Sequence, residues 1–146
     1  MEVVWKAVTV ILNCRFIASI TYHDSIRGFR LGRGTETATL NVKMLQQVKS
    51  MREAVLHAIF LDLHKSYDAL DRSRCLDILE VYGVGNRALR LLCRNCKQLQ
   101  IVAWVGGYYR EPFRGDIGVN QGDPLPPTIS NVVMDAVVRH WESLVA

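Results

Sequence analysis

The 146-residue chain has few of the features that mark several large protein classes. Its four cysteines, Cys14, Cys75, Cys93 and Cys96, lack the dense regular spacing of a secreted disulfide scaffold. That points to a reducing intracellular compartment and leaves nucleus or cytoplasm open. No apolar run reaches membrane-span length, because Lys6, Asn13 and Arg15 interrupt the best candidate, "MEVVWKAVTVILNCRFIASI". Its start also lacks the basic residues of a secretory leader, so a packed helix is expected there and no membrane partner. No repeat, low-complexity tract or linker-like run divides the chain, which predicts one unit.

Two kinds of chemistry lack their residues. His23, His57, His64 and His140 are scattered singly and form no ligand set or triad. "CRNC" at 93–96 has a metal-like spacing, but no second Cys or His pair completes a structural zinc site, and both thiols fall on an apolar helix face. The Gly-Lys-Ser/Thr ending of a P-loop is missing as well.

What is present is a sizeable core and a basic surplus. Hydrophobic residues make up 49% of the chain, enough for one domain. Eighteen Lys and Arg against fourteen Asp and Glu leave a net charge of +4, which favours polyanion partners without proving them.

Along the chain, apolar residues from Val3 to about Ile20 cover most of a helix. "HDSIRGFRLGRGT" follows as a Gly- and Arg-rich loop, and Thr35 is the expected N-cap of a helix reaching about Arg52. "AVLHAIFLDL" is a continuous apolar run with β-branched and aromatic content, which predicts a buried strand. After Asp71 come two helices separated by "GVG". Cys75, Ile78, Leu79 and Tyr82 in the first, and Leu89, Leu92, Cys93 and Cys96 in the second, recur at i, i+3, i+4 and i+7. "LQIVAWVGGYYREPF" predicts a hairpin turning at Gly106-Gly107. "QGDPLPP" opens a last helix, with Ile129, Val132, Val133, Ala136, Val137, His140, Trp141 and Leu144 on one face. The expected class is α/β in the α+β sense, a small antiparallel sheet packed on helices.

Asp62 ends the predicted strand on the same face as Ala58 and Phe60, so its carboxylate emerges at the strand's C-terminal edge. That place suits a hard cation such as Mg²⁺. From one carboxylate alone, capping or pairing in an ordinary turn explains Asp62 better, and turn and N-cap roles also explain Asp68 and Asp71 in "YDALD". In "IRGFRLGRGT", Arg27, Arg30 and Arg33 stand three apart among Gly28, Gly32 and Gly34. Guanidiniums and backbone N–H groups could meet phosphate there, and a solvated basic turn explains the pattern equally well.

Taken together, three stretches resemble the reverse transcriptase domain of retroelements, the kind found in non-LTR retrotransposons and group II introns. "RGFRLGRGTETATL" is similar to the family's finger-region motif, "FLDLHKSYDALDR" to its motif A, and "GVNQGDPLPPTISNVVMDAVVRHW" to its motif B. The order and spacing match from about Arg27 to Trp141.

The resemblance implies a fragment of the fingers and palm of a right-hand polymerase, with 1–54 as finger region and 55–146 as palm. It implies that Asp62 binds catalytic Mg²⁺, that Tyr67 is the steric gate against a 2′-hydroxyl, and that Gln121 and Gly122 line the nucleotide and template pocket. It places Arg30 and Arg33 near nucleic acid, with RNA template, DNA primer and deoxynucleotide triphosphates as partners. There are departures: Pro126 stands where the family usually has serine, and Arg27 where histidine is common. The Tyr-X-Asp-Asp hairpin of motif C is missing, and no Asp-Asp pair occurs anywhere. The chain is therefore expected to be inactive alone. A non-catalytic nucleic-acid-binding remnant and a degenerate reading frame stand as alternatives.

Overall fold

In a computed structural model, which describes residues 2–98, 100–115, 117–119 and 122–146, five helices carry the fold. They are α1 (Glu2–Ser19), α2 (Thr35–Met51), α3 (Arg72–Val81), α4 (Asn86–Gln98) and α5 (Leu125–Val145). Between α4 and α5 lie four short strands, β1 (Gln100–Ile101), β2 (Trp104–Val105), β3 (Tyr108–Tyr109) and β4 (Phe113–Arg114). The mixed α+β class expected from the sequence is what is observed.

The core is helical. Leu12 and Phe16 of α1 and Ile20 just past its end pack with Leu79 of α3, Leu92 of α4, and Leu125 and Val132 of α5, closed by Tyr22, Ile26 and Val84 from the connections. Residues 12, 16 and 20 fall at i, i+4 and i+8, a narrow stripe that carries the line of α1 one residue beyond the helix. Val3, Val10 and Ile17 on its other side stay exposed, so the broad apolar face of this helix is only partly used.

Polar pairs set the direction of packing. Thr9 donates to Asp123 at 2.9 Å, Thr128 to Asn13 at 2.5 Å, and Arg139 to the Thr21 carbonyl at 3.1 Å. The two residue numbers in these pairs rise together, so α1 and α5 run parallel. The last turns of α5 continue past the end of α1, which leaves Trp141 and Leu144 exposed rather than on the packed face expected for them.

Helix starts follow local chemistry. Asp71 caps α3, accepting from the backbone N–H groups of Ser73 at 2.9 Å and Arg74 at 3.2 Å, as its place in "YDALD" suggests. The Ser73 hydroxyl and these two N–H groups hold its carboxyl below the usual range. For α2 the cap is Gly34 rather than Thr35. The Thr37 hydroxyl accepts from the Gly34 N–H and donates to the Gly34 carbonyl, which moves the start one residue earlier.

The larger correction concerns 54–63. This run takes no regular secondary structure and joins no ladder among the described residues, and it is exposed, Phe60 to 87%. A strand is buried on both faces only when neighbours cover it, and the four strands present pair elsewhere, β1 with β4 and β2 with β3. The hairpin is as expected: Gly106 and Gly107, at φ 61° and 87°, make the two-residue turn, and Trp104 opposes Tyr109. All strand residues are exposed. Helix α2 buries no residue either.

One carboxylate lies inside the helical core. Asp135, fully buried, accepts from the His23 N–H, from the Tyr82 hydroxyl at 2.5 Å and from Arg139 Nε at 2.7 Å. Burial pushes its pKa up, but the Tyr82, Arg139 and His23 hydrogen bonds outweigh that and hold it below the ordinary carboxylate value. The Tyr82 phenol is driven up to about 12, by its own burial and then by Asp135. Nearby, the Tyr22 hydroxyl is buried without a partner among the described residues.

Removing each phenol oxygen should therefore have opposite consequences. Tyr82→Phe takes a donor from a buried charge and should cost about 1.5–3 kcal/mol, whereas Tyr22→Phe should cost nothing or stabilise, as read by thermal melting. Because the folded pKa of Asp135 is depressed, its contribution is complete above the unfolded value near 3.9 and is lost as pH falls through the lower folded value. Acid unfolding of Asp135→Asn should accordingly be less steep below about pH 4. Phe60→Lys tests the exposed run: it should leave the melting temperature unchanged within about 0.5 kcal/mol and reduce association in size-exclusion chromatography. A large loss of stability would show that this run is buried after all.

Candidate functional site

Two stretches singled out in the sequence are held together by backbone. The Gly118 N–H donates to the Leu70 carbonyl at 2.8 Å, and the Val119 N–H to the Tyr67 carbonyl at 3.0 Å. The segment after Asp62 is thus zipped to the turn that leads into α5. Gly118 is buried at φ 80°, and a Cβ there would lie 2.9 Å from the Asp68 carbonyl oxygen. Only glycine lets the two backbones approach this closely.

Arg72, the first residue of α3, clamps the same junction. Its guanidinium donates to the carbonyls of Gly115, of Ile117 at 3.2 Å and of Gly118 at 2.5 Å, with a longer bond to Cys96 at 3.4 Å. Beyond the turn, Asp123 accepts from Trp5 Nε1 at 3.3 Å and from Thr9, which ties the start of α5 to α1. The segment also leans on α5, leaving a cleft of about 220 Å³ lined by Leu63, His64, Ser66 and Leu70 on one side and Ser130 and Met134 on the other.

The candidate residues distribute as follows. Tyr67 is half-buried at the junction, and Asp62 is exposed on the irregular run before it. Gly122 is exposed at φ 97°, and Gln121 lies outside the described residues. The structure therefore brings Tyr67 and residues 118–119 to one place, while among the described residues Asp62 belongs to no group of three or more His, Cys, Asp or Glu.

Among the described residues, no group of three or more His, Cys, Asp or Glu is placed to hold a metal ion. A Mg²⁺ ion takes a carboxylate or two plus phosphates and water, and two-metal sites need more. The donor set present does not fit such a site.

Arg30 and Arg33 are occupied with their own loop. Arg30 donates to the carbonyls of His23 at 3.1 Å and Ile26 at 2.9 Å, with its guanidinium 5.3 Å from the centre of the Tyr22 ring. Arg33 pairs with Asp24 at 2.8 Å and donates to its backbone carbonyl. The bond from the Arg33 guanidinium to the Asp24 carboxylate is the main reason that carboxyl sits below its usual range. Asn131 pins the loop to α5 through the Gly28 carbonyl at 2.7 Å.

Sequence reasoning missed Arg72, Asn131 and Asp135. For the last two a signal existed: Thr128, Asn131 and Asp135 fall at i, i+3 and i+7, a polar row inside the apolar face of α5. Arg72 carried no such signal, because three of its four acceptors lie more than forty residues away.

No protein-family model matches the chain. It is 26% identical over 138 residues to the retrovirus-related Pol polyprotein from the type-2 retrotransposable element R2DM of Drosophila melanogaster, covering 94% of this chain and 13% of that protein. It is 33% identical over 118 residues to the retrovirus-related Pol polyprotein from the type-1 retrotransposable element R2 of Nasonia vitripennis, covering 77% of this chain and 11% of that protein. The R2 polyprotein of Popillia japonica matches at 24% over 101 residues. The chain is a retrotransposon-related region that spans a small part of these curated relatives.

The junction makes its own prediction. Gly118→Ala adds a methyl group against the Asp68 backbone at a left-handed φ, and should cost more than about 1 kcal/mol. Arg72→Gln should leave α3 helical but speed hydrogen exchange at the Gly118 and Val119 amides. Unchanged exchange at both amides would mean that Arg72 does not hold the turn.

Proposed function

We propose that the chain is part of a retroelement reverse transcriptase domain, with 1–54 contributing finger structure and 55–146 contributing palm. The observation that carries this reading is the pair of backbone hydrogen bonds joining 67–70 to 118–119. They bring together the stretches that resemble motifs A and B, fifty residues apart in sequence, in a chain whose relatives are Pol polyproteins. The parent reaction in this reading is RNA-templated addition of deoxynucleotides to a DNA primer.

Within it, Tyr67 is the gate beneath the incoming sugar, and Gln121 and Gly122 line the nucleotide and template pocket. Asp62 is one carboxylate toward Mg²⁺, a donor of a set that these residues do not complete. Arg30 shapes the finger loop through its carbonyl bonds, and Arg33 is the arginine freer to reach nucleic acid, since its partner Asp24 is exposed and surface ion pairs are weak and screened by salt. The lone carboxylate equally favours a second reading, a nucleic-acid-binding remnant without catalysis.

Primer extension separates the two. The purified chain should incorporate no deoxynucleotide on an RNA template with Mg²⁺ or Mn²⁺. Joined to the downstream palm segment of its parent element, it should incorporate in a template-dependent way, Asp62→Asn should abolish this, and Tyr67→Ala should relax discrimination against ribonucleotides. Incorporation that survives Asp62→Asn overturns the assignment of that residue, and an extended protein that binds nucleic acid but never incorporates favours the remnant.

A further inference from the structure

The buried network around Asp135 reaches the arginine loop through one residue, His23. Its backbone N–H goes to Asp135, and its carbonyl accepts from the Ile26 N–H at 3.1 Å and from Arg30 at 3.1 Å. The half-buried imidazole lies between two elements. Nε2 is 3.2 Å from a Glu142 carboxylate oxygen in the last turn of α5, while Nδ1 accepts from the Ser25 N–H at 3.2 Å, with the Ser25 hydroxyl at 2.8 Å.

A backbone N–H can only donate, so the ring nitrogen that it meets must present a lone pair. That fixes the tautomer of the neutral ring. Its proton sits on Nε2 and is donated to Glu142. A second proton can go only to Nδ1, where it faces the Ser25 N–H, donor against donor. Turning the ring over brings no relief, because an imidazolium has two donors and no acceptor. The Ser25 hydroxyl can accept the new proton, but the Ser25 N–H loses its partner, and the attraction to Glu142 grows once the ring is charged. An arginine depends on this turn. Asp24, between His23 and Ser25, holds Arg33 twice, by its carboxylate at 2.8 Å and by its carbonyl at 3.1 Å.

The charged and titratable groups around His23 are Glu142, Asp135 and Arg139 of α5, Tyr82 of α3, and Asp24, Arg27, Arg30 and Arg33 of the loop. Among the described residues α1 brings it no hydrogen bond or ion pair from a charged side chain. Asp135, despite its burial, and Asp24, beside Arg33, stay below the usual carboxylate range, and burial pushes the Tyr82 phenol up to about 12. Those three therefore keep one charge state near neutrality, where imidazoles change theirs.

We propose that His23 is a proton-operated latch on the arginine loop. As the neutral Nε2–H tautomer it closes the 23–26 turn through Ser25; taking a proton from solvent onto Nδ1, it exchanges that bond for an ion pair with Glu142, opens the turn and releases Arg33 from Asp24. The loop transition does not depend on what Arg33 touches, so it stands apart from the polymerase reading.

The test is NMR of the whole chain across the pH range in which imidazoles titrate, observing ring nitrogens, backbone amides and arginine side chains. At the alkaline end the His23 ring should show the Nε2–H tautomer. As it gains its second proton, protection of the Ser25 amide, corrected for the intrinsic pH dependence of exchange, should fall roughly tenfold, the loss of one hydrogen bond. Asp24 and Arg33 signals should shift with the same midpoint. His23→Asn supplies a carbonyl that accepts from the N–H two residues on and does not titrate, so it should keep the Ser25 amide protected throughout and abolish the Arg33 shift. Replacing His57, His64 and His140 together by Gln should preserve the whole response, because their rings form no hydrogen bond or ion pair among the described residues. An Nδ1–H tautomer, a Ser25 amide indifferent to the His23 titration, Arg33 signals that do not follow, or a response that survives in His23→Asn overturns the proposal.

Discussion

Asp135 is a charge without water, and the helical part of the molecule is arranged around it. Removing an ion from water costs several kcal/mol, recovered only if donors arrive with good geometry from every side. They come from three separate pieces of chain: a backbone N–H after α1, a phenol at the end of α3 and a guanidinium one turn on in α5. Satisfying the carboxylate therefore fixes three elements at once, and an apolar residue there would leave their relative rotation free. Arg139 extends the constraint by donating onward to the Thr21 carbonyl.

From that anchor the rest of α5 acts as a ruler. Asn131 holds the arginine loop through Gly28, Thr128 meets Asn13, and Asp123 receives Trp5 and Thr9. The turn before α5 is thereby placed against α1 at one end and against 67–70 at the other, with Arg72 closing the carbonyls between. The candidate site is built from the N-terminal end of α5 outward. Its quality falls with distance from the anchor: Tyr67 is held by backbone bonds, while Asp62, five residues earlier, is held by nothing described.

Local patterns were the legible part. Helical spacing located α3, α4 and α5, the Gly-Gly pair located the hairpin turn, and Asp71 announced the start of α3, because each depends on neighbours a few residues away. The shift of the α2 cap from Thr35 to Gly34 is the ordinary one-residue ambiguity at a helix end. The site was legible only as separate pieces. That 67–70 meets 118–119 depends on two backbone bonds and one long arginine, which no spacing rule encodes. The arginine loop was legible only in part for a related reason: its pattern of cations is visible, but not that Arg30 turns inward to the loop's own carbonyls.

The run 54–63 shows what pattern can and cannot say. Val55, Ile59 and Phe60 favour a strand through their branching and bulk, yet the run takes no regular secondary structure. Burial is a different statement, since ladder bonds and a covering face must be supplied by other residues. Neither the four strands nor α2, itself without a buried residue, supplies them among the described residues. The consequence reaches the chemistry. A carboxylate at the end of a paired strand is aimed by its neighbours, whereas at the end of an unpaired one it keeps its torsional freedom and its water. Ordering Asp62 toward a cation therefore requires the strand to be paired first, so metal affinity at this position and pairing of 54–63 should rise and fall together.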